Sequence, residues 1–142
     1  MTEYGERRTT ERHAPTPGER KDLSGPALRA FFRIADLWRL TVAEQMTLLG
    51  LTAASTFYKW RKDPPATVLP KDTLERISYL LGIYRALQIL LPDPKAADEW
   101  PRRPNGAAIF GGRSALDRML SGQVADLFVV RQYLDAERGG WS

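Results

Sequence analysis

The amino-acid sequence predicts an all-α fold, and three observations support this. Apolar residues recur at helical spacing through most of the chain beyond its polar N-terminal part. These segments begin with residues that cap helices and are separated by glycine and proline. No segment shows a convincing alternation of apolar and polar residues that would mark a β-strand. With 142 residues, the chain can form one compact domain with a small appended unit.

The N-terminal residues 1–22 are polar and charged, contain proline and glycine, and lack apolar periodicity. We therefore expect a flexible, disordered tail. The first helix should follow it, with Ser24 as N-cap and Pro26 in the first turn. Its apolar residues at helical spacing are Leu28, Phe31, Phe32, Ala35 and either Trp38 or Leu37.

Residues 40–63 have the punctuation of a helix-turn-helix. Thr41 and Glu44 form a capping-box pattern at the start of the first helix, and Gly50 is expected to end it. Thr52 is expected to cap the second helix. The inward-facing residues of that second helix should be Phe57 and Trp60.

The exposed side of the second helix is rich in hydroxyl and cationic groups, which suit contacts to phosphates and base edges. The candidate DNA-binding residues are Ser55, Thr56, Tyr58, Lys59, Arg61 and Lys62. The spacing from Gly50 to Trp60 is longer than in the commonest bacterial repressor pattern. A helical pair used only for packing therefore remains the alternative.

The net charge of +4 lies in the middle of the chain. Residues 26–105 carry twelve basic and eight acidic groups, whereas residues 1–25 carry five of each and residues 106–142 carry four of each. A basic excess in one region is compatible with nucleic-acid contact, although a solvated protein face gives the same pattern.

A long segment with helical periodicity runs from Lys71 to Leu91, with Asp72 as the expected cap. Its apolar residues cover nearly the whole helix circumference. Such a helix is normally central, so the other helices or a second subunit should pack around it.

The C-terminal part follows a proline-rich linker with a short helical turn near residues 96–100. A short helix should place Leu116, Met119 and Leu120 on one face, and a final helix should end at two glycines. Trp141 follows these glycines, and an aromatic residue there is expected to be buried in the protein's own core or in another protein. The expected inward residues of the final helix are Val124, Leu127, Phe128, Val130, Tyr133 and Leu134.

The residue inventory argues against an enzyme. His13 in the predicted tail is the only histidine, cysteine is absent, and no serine lies in a nucleophile or P-loop context. The "FGGRS" stretch could cradle a phosphate at Gly112 and Arg113, but a tight turn is the favoured interpretation. We expect no metal and no cofactor. The lack of cysteine, signal peptide and long apolar run predicts a cytoplasmic protein.

Three segments carry a family resemblance: "WRLTVAEQMTLLGL" with "FYKWRKDP", "LERISYLLGIYRALQILLPD", and "RPNGAAIFGGRSALDRMLSGQVADLFVVRQYLDAERGGW". Over about residues 28–141 the chain resembles the Xre/MbcA/ParS antitoxins, particularly the MbcA-type members. The resemblance implies a helix-turn-helix-like domain at residues 23–92 and a helical toxin-binding domain at residues 93–142.

The implied partner is a RES-domain toxin that degrades NAD⁺, whose active-site entrance is blocked by the antitoxin's C-terminal segment. The toxin-binding residues implied here are Arg131, Tyr133, Leu134, Arg138, Gly139, Gly140 and Trp141. The resemblance also implies repression of the protein's own operon, and a homodimer within a larger toxin–antitoxin complex. The alternative is a stand-alone helix-turn-helix repressor whose C-terminal helices serve dimerisation.

Overall fold

The structure, a computed structural model, describes residues 16–139. Within this range the regular secondary structure is helical, apart from an isolated bridge between Pro104 and Ser114. The all-α prediction is confirmed. Seven α-helices follow in order: α1 Pro17–Leu37, α2 Val42–Leu49, α3 Ala54–Lys62, α4 Lys71–Leu90, α5 Pro94–Glu99, α6 Ala115–Met119 and α7 Val124–Gly139. Short 3₁₀ helices occupy Pro64–Ala66, Trp100–Arg102 and Ala108–Phe110.

Helix α1 begins earlier than predicted. Its N-cap is Thr16, whose hydroxyl accepts from the backbone N–H of Glu19 at 3.2 Å, while the Glu19 carboxylate accepts from the Thr16 N–H at 2.9 Å. Ser24, the predicted N-cap, lies inside the helix and is buried, and its hydroxyl accepts from the Leu69 N–H at 2.8 Å. The capping box at Thr16 obeys the same rule that had suggested Ser24, but it lies about two helical turns earlier.

The predicted tail is therefore too long. Residues 17–22 belong to α1, and Pro26 lies within the helix rather than in its first turn. Residues 1–15 of the predicted tail lie outside the described part of the chain.

The start and end of α2 are as predicted. Thr41 caps it, accepting from the Glu44 N–H at 3.1 Å, and the Glu44 carboxylate accepts from the Thr41 N–H at 2.9 Å. Gly50 ends the helix in the left-handed conformation with φ 78°, which glycine adopts without steric cost. Thr52 does not cap α3, because the N-cap position is held by Ala53 without a side-chain hydrogen bond.

Helix α4 is the central element, as its apolar circumference predicts. It packs against α1, α2, α5 and α7. Asp72 is not its cap, because Pro70 occupies that position. Asp72 lies in the first turn, and its carboxylate is 2.9 Å from Nε of Arg76. Its buried apolar residues are Ile77, Leu80, Ile83, Ala86 and Leu87.

The C-terminal unit, α5 to α7, packs on the other side of α4. Leu116 and Met119 of α6 and Leu127 and Val130 of α7 are buried. Phe128, predicted to face inward, is 43% exposed, and its ring meets the Tyr79 ring edge-on.

The predicted end of the last helix is also shifted. Helix α7 continues through Gly139, so the first glycine of the pair does not stop it. None of the helices in the described range is long and apolar enough to span a membrane.

The turn between α1 and α2 contains a backbone conformation that L-residues adopt at a cost. Arg39 has φ 54°, in the left-handed region. We predict that Arg39→Gly raises the free energy of unfolding by about 1 kcal/mol. Urea denaturation measures this. The control is Arg33→Gly, at an exposed position inside α1, which should lose about 1 kcal/mol. A less stable Arg39→Gly variant would contradict the prediction.

Candidate interaction surfaces

Helix α3 presents the predicted DNA-binding residues on its outer side. Phe57 and Trp60 are buried and fix the inner side of the helix. Tyr58 is 54% exposed and Thr56 is half-buried. The structure thus brings the candidates together on one short helix. The remaining exposed candidates are Ser55, Lys59, Arg61 and Lys62.

Arg61 is held against α1. Its guanidinium lies 6.0 Å from the centre of the Phe32 ring, within cation–π range. Phe32 in turn packs edge-on against Phe57, with ring centres 5.9 Å apart. The cationic end of α3 is therefore oriented by its contact with α1. This position also suits the negative end of the helix dipole, so the charges have a structural role in addition to any role in binding.

On the opposite part of the molecule, Arg131 of α7 crosses α4 at Gly82. A Cβ placed on Gly82 would lie 2.4 Å from the guanidinium carbon of Arg131, so the glycine provides the space that the arginine fills. The Arg131 Nη1 donates to the Ser78 carbonyl at 3.5 Å, and its Nε lies 3.4 Å from Asp135. Arg131 is therefore oriented before any partner binds, and its side chain is 38% exposed.

A shallow depression lies between the ends of α4 and α7. Arg138, 40% exposed, lies 4.0 Å from Asp135 at its edge, and Gly139 also lines it. Its apolar side is formed by Leu90 and by Ile89, which is 55% exposed. Ile89 was not identified from the sequence as a candidate surface residue. The signal was present, because a helix such as α4, with apolar residues on nearly every face, must leave some of them exposed.

Two of the implied toxin-binding residues are at least partly enclosed by the fold. Leu134 is 2% exposed and belongs to the protein's own core, on the inner face predicted for it, and its toxin-binding role stays a prediction. Tyr133 is half-buried and packs edge-on against Phe110, with ring centres 5.4 Å apart. Gly140 and Trp141 lie outside the described residues.

The "FGGRS" stretch forms a tight turn, as favoured. Gly111 and Gly112 have φ 58° and 83°. Ser114 caps α6 and accepts from the Asp117 N–H at 3.0 Å, and Arg113 lies 3.6 Å from the same aspartate. The protein's own carboxylate thus occupies the start of this helix.

Acidic residues of the predicted linker have structural partners. Asp93 caps α5, Asp98 accepts from the Gln88 amide at 3.3 Å, and Glu99 pairs with Arg103 at 2.9 Å. Among residues 16–139 no cluster of histidine, cysteine, aspartate or glutamate has the arrangement of a metal site.

Together, these features define a helical regulator in which a helix-turn-helix unit is joined to a small interaction unit. Residues 17–82 match the family model described as the antitoxin Xre-like helix-turn-helix domain. Residues 86–140 match the antitoxin Xre/MbcA/ParS C-terminal toxin-binding domain. The chain belongs to the Xre/MbcA/ParS family of antitoxins. The two matched regions meet within α4, and the domain limit at residues 92–93 stays a prediction.

One relative is similar to this chain over most of the length of both proteins. The chain is 55% identical over 113 residues to the uncharacterized protein y4oB of Sinorhizobium fredii, an alignment that covers 80% of this chain and 84% of the relative. The likeness therefore spans both matched regions rather than one of them.

The environment of Tyr133 gives a prediction for its ionisation. Burial raises the pKa of Tyr133 above 10.0, and the negative charge of Glu137 and a hydrogen bond to it raise it further. The neutral phenol is favoured in the folded state. The stability that the folded protein gains from keeping Tyr133 neutral is therefore complete below pH 10.0 and is lost as the pH rises through the folded-state pKa.

Ultraviolet titration of tyrosinate should show two tyrosines, Tyr79 and Tyr133, that ionise above the ordinary pKa, and Tyr133→Phe should remove one of these two high-pH transitions. In Glu137→Gln that transition should move to lower pH without reaching the ordinary value, because burial is the largest cause and remains. The pKa of Tyr79 is also raised by burial and by Glu75, so the control is Tyr79→Phe, which should remove the other high-pH transition and leave that of Tyr133 in place. An unchanged transition in Tyr133→Phe would contradict the assignment.

Proposed function

We propose that this antitoxin neutralises a RES-domain, NAD⁺-degrading toxin by placing its C-terminal segment at the entrance of the toxin's active site, as an MbcA-type antitoxin. The observation that carries the proposal is the pair of partly exposed arginines of α7, Arg131 and Arg138, within the region that matches the toxin-binding domain. Arg138 lies at the C-terminal end of α7, directly before the segment that contains Trp141.

The chemistry of this end fits a nucleotide-binding pocket. Guanidinium groups form paired hydrogen bonds with carboxylates and phosphates. Arg131 is already oriented by Ser78 and Asp135, so less conformational entropy is lost when a partner binds it. Tyr133 supplies a partly accessible aromatic edge beside them.

Trp141 would supply apolar contact area. An indole buries roughly 150–250 Å². At about 25 cal/mol/Å² this gives an upper limit of roughly 4–6 kcal/mol before ordering costs are subtracted. A contribution of this size is that of an interface hot spot. The proposed role is binding rather than catalysis, and it is exerted in the cytoplasm.

We also propose that the helix-turn-helix unit represses the protein's own operon. The basic and hydroxyl groups on the outer side of α3 support this, with Ser55, Lys59 and Lys62 exposed. In this proposal the antitoxin acts as a homodimer within a larger complex with the toxin. The apolar side chains of Leu23 and Phe128, 50% and 43% exposed, are available for a second copy to cover.

Removal of the C-terminal segment tests the toxin-blocking role. A variant lacking residues 138–142 should bind the purified RES-domain toxin encoded beside it at least about 30-fold more weakly, which corresponds to about 2 kcal/mol. Calorimetric titration measures the affinity, and the rate of NAD⁺ loss measures the inhibition. Trp141→Ala alone should give most of the effect.

The control for this test is Arg29→Ala, an exposed arginine of α1, which should leave toxin binding unchanged. The deletion should also leave DNA affinity and thermal stability unchanged. Full inhibition of the toxin by the shortened chain would contradict the blocking model. Retained DNA binding in that case would favour the stand-alone repressor.

The salt dependence of DNA binding tests the surface of α3. The Lys59→Ala, Lys62→Ala double variant should bind the DNA upstream of its own gene more weakly, and the slope of log affinity against log salt should fall by about 2. Lys95→Ala, an exposed lysine of α5, is the matched control. Affinity that does not depend on salt would rule out phosphate contacts.

A further inference from the structure

We propose that Arg102, in the C-terminal unit, is a positioning residue for the helix-turn-helix unit: it fixes the turn between α1 and α2 and thereby the placement of α3. Arg102 lies in the 3₁₀ helix after α5, within the region that matches the toxin-binding domain. All of its hydrogen-bond partners lie in the other matched region. This inference rests on the proposed DNA binding for its functional consequence.

The guanidinium of Arg102 caps the end of α1. Its Nε donates to the Trp38 carbonyl at 3.1 Å and its Nη2 donates to the Arg39 carbonyl at 2.7 Å. The last carbonyls of a helix lack partners within the helix and carry its negative dipole end. A planar cation with several N–H groups can satisfy two of them at once.

The same guanidinium holds the start of α2. Its Nη2 lies 3.1 Å from Oε1 of Glu44. This is the oxygen that accepts from the Thr41 N–H at 2.9 Å in the capping box. Arg102 therefore joins the end of one helix to the beginning of the next. The residues it connects are 58 to 64 positions away along the chain.

The turn that Arg102 holds needs such support. Arg39 has φ 54°, in the left-handed region. A residue other than glycine rarely adopts this conformation in a free chain. A short turn through Gly50 joins α2 to α3, and the buried residues Leu49 and Phe57 anchor the two helices in the core. A shift of α2 would therefore move the outer surface of α3.

The chain contains a matched control at the next position. Arg103 is also an arginine of this segment, but its side chain is 62% exposed and pairs with Glu99 one turn earlier. Loss of Arg103 removes the same charge from nearly the same place without affecting the turn between α1 and α2.

The experiment compares Arg102→Ala, Arg102→Lys and Arg103→Ala in the full-length protein. Amide hydrogen exchange of Leu40 and Gln45 should be at least about 10-fold faster in Arg102→Ala, while exchange in α4 and α7 stays unchanged. Affinity for the DNA upstream of the gene should fall about 10-fold with an unchanged salt slope. Lysine should restore little, because it lacks the fork of donors. Arg103→Ala should match the unmodified protein in both measurements.

Unchanged exchange at Leu40 and Gln45 would overturn the proposal, as would faster exchange spread evenly over α4 and α7, which would indicate general destabilisation. A salt slope reduced by about 1 would also overturn it, because Arg102 would then contact phosphate directly. If the unmodified protein binds no DNA, the proposed repressor role is wrong. The local exchange rates then decide alone whether Arg102 holds the turn.

Discussion

The burial of helix α4 on several sides is the constraint on which the structure depends. Its apolar side chains contact the helix-turn-helix unit on one side and α7 on the other. The two regions matched by family models end and begin within this one helix. A single continuous helix therefore sets the distance and angle between the two proposed surfaces, the one for DNA and the one for the toxin. Separate cores joined by a flexible linker would leave that geometry free.

Arginine side chains reinforce this arrangement at three places. Arg76 donates to the Gly122 carbonyl at 3.0 Å, Arg131 reaches the Ser78 carbonyl, and Arg102 reaches the turn before α2. Each links the two matched regions, and each uses backbone carbonyls as acceptors. Exposed pairs of charged side chains contribute little to stability, but a guanidinium that donates to a backbone carbonyl of another element also fixes the position of that backbone.

The sequence predicts those features that depend on neighbouring residues. The capping box at Thr41 and the left-handed Gly50 were found because their signals lie within a few positions of each other. Ser24 was misassigned because its role is to accept from Leu69, which no local pattern reveals. Periodicity placed Leu134 on the correct inner face, but the family resemblance had given it to the partner. Phe128 and Arg102 depend on contacts with distant helices, so spacing along the chain could not determine their environments.

The space beneath Arg131 has a consequence for how this protein can evolve. Gly82 is the last residue of the region that matches the helix-turn-helix domain, yet it determines how closely an arginine of the toxin-binding domain can approach α4. A side chain at position 82 in one half therefore meets the guanidinium of a residue in the other half. A chimaera that inherits a larger side chain at this position from one parent would displace the guanidinium contributed by the other parent, and so reshape the surface proposed to meet the toxin, without any change in the arginine itself.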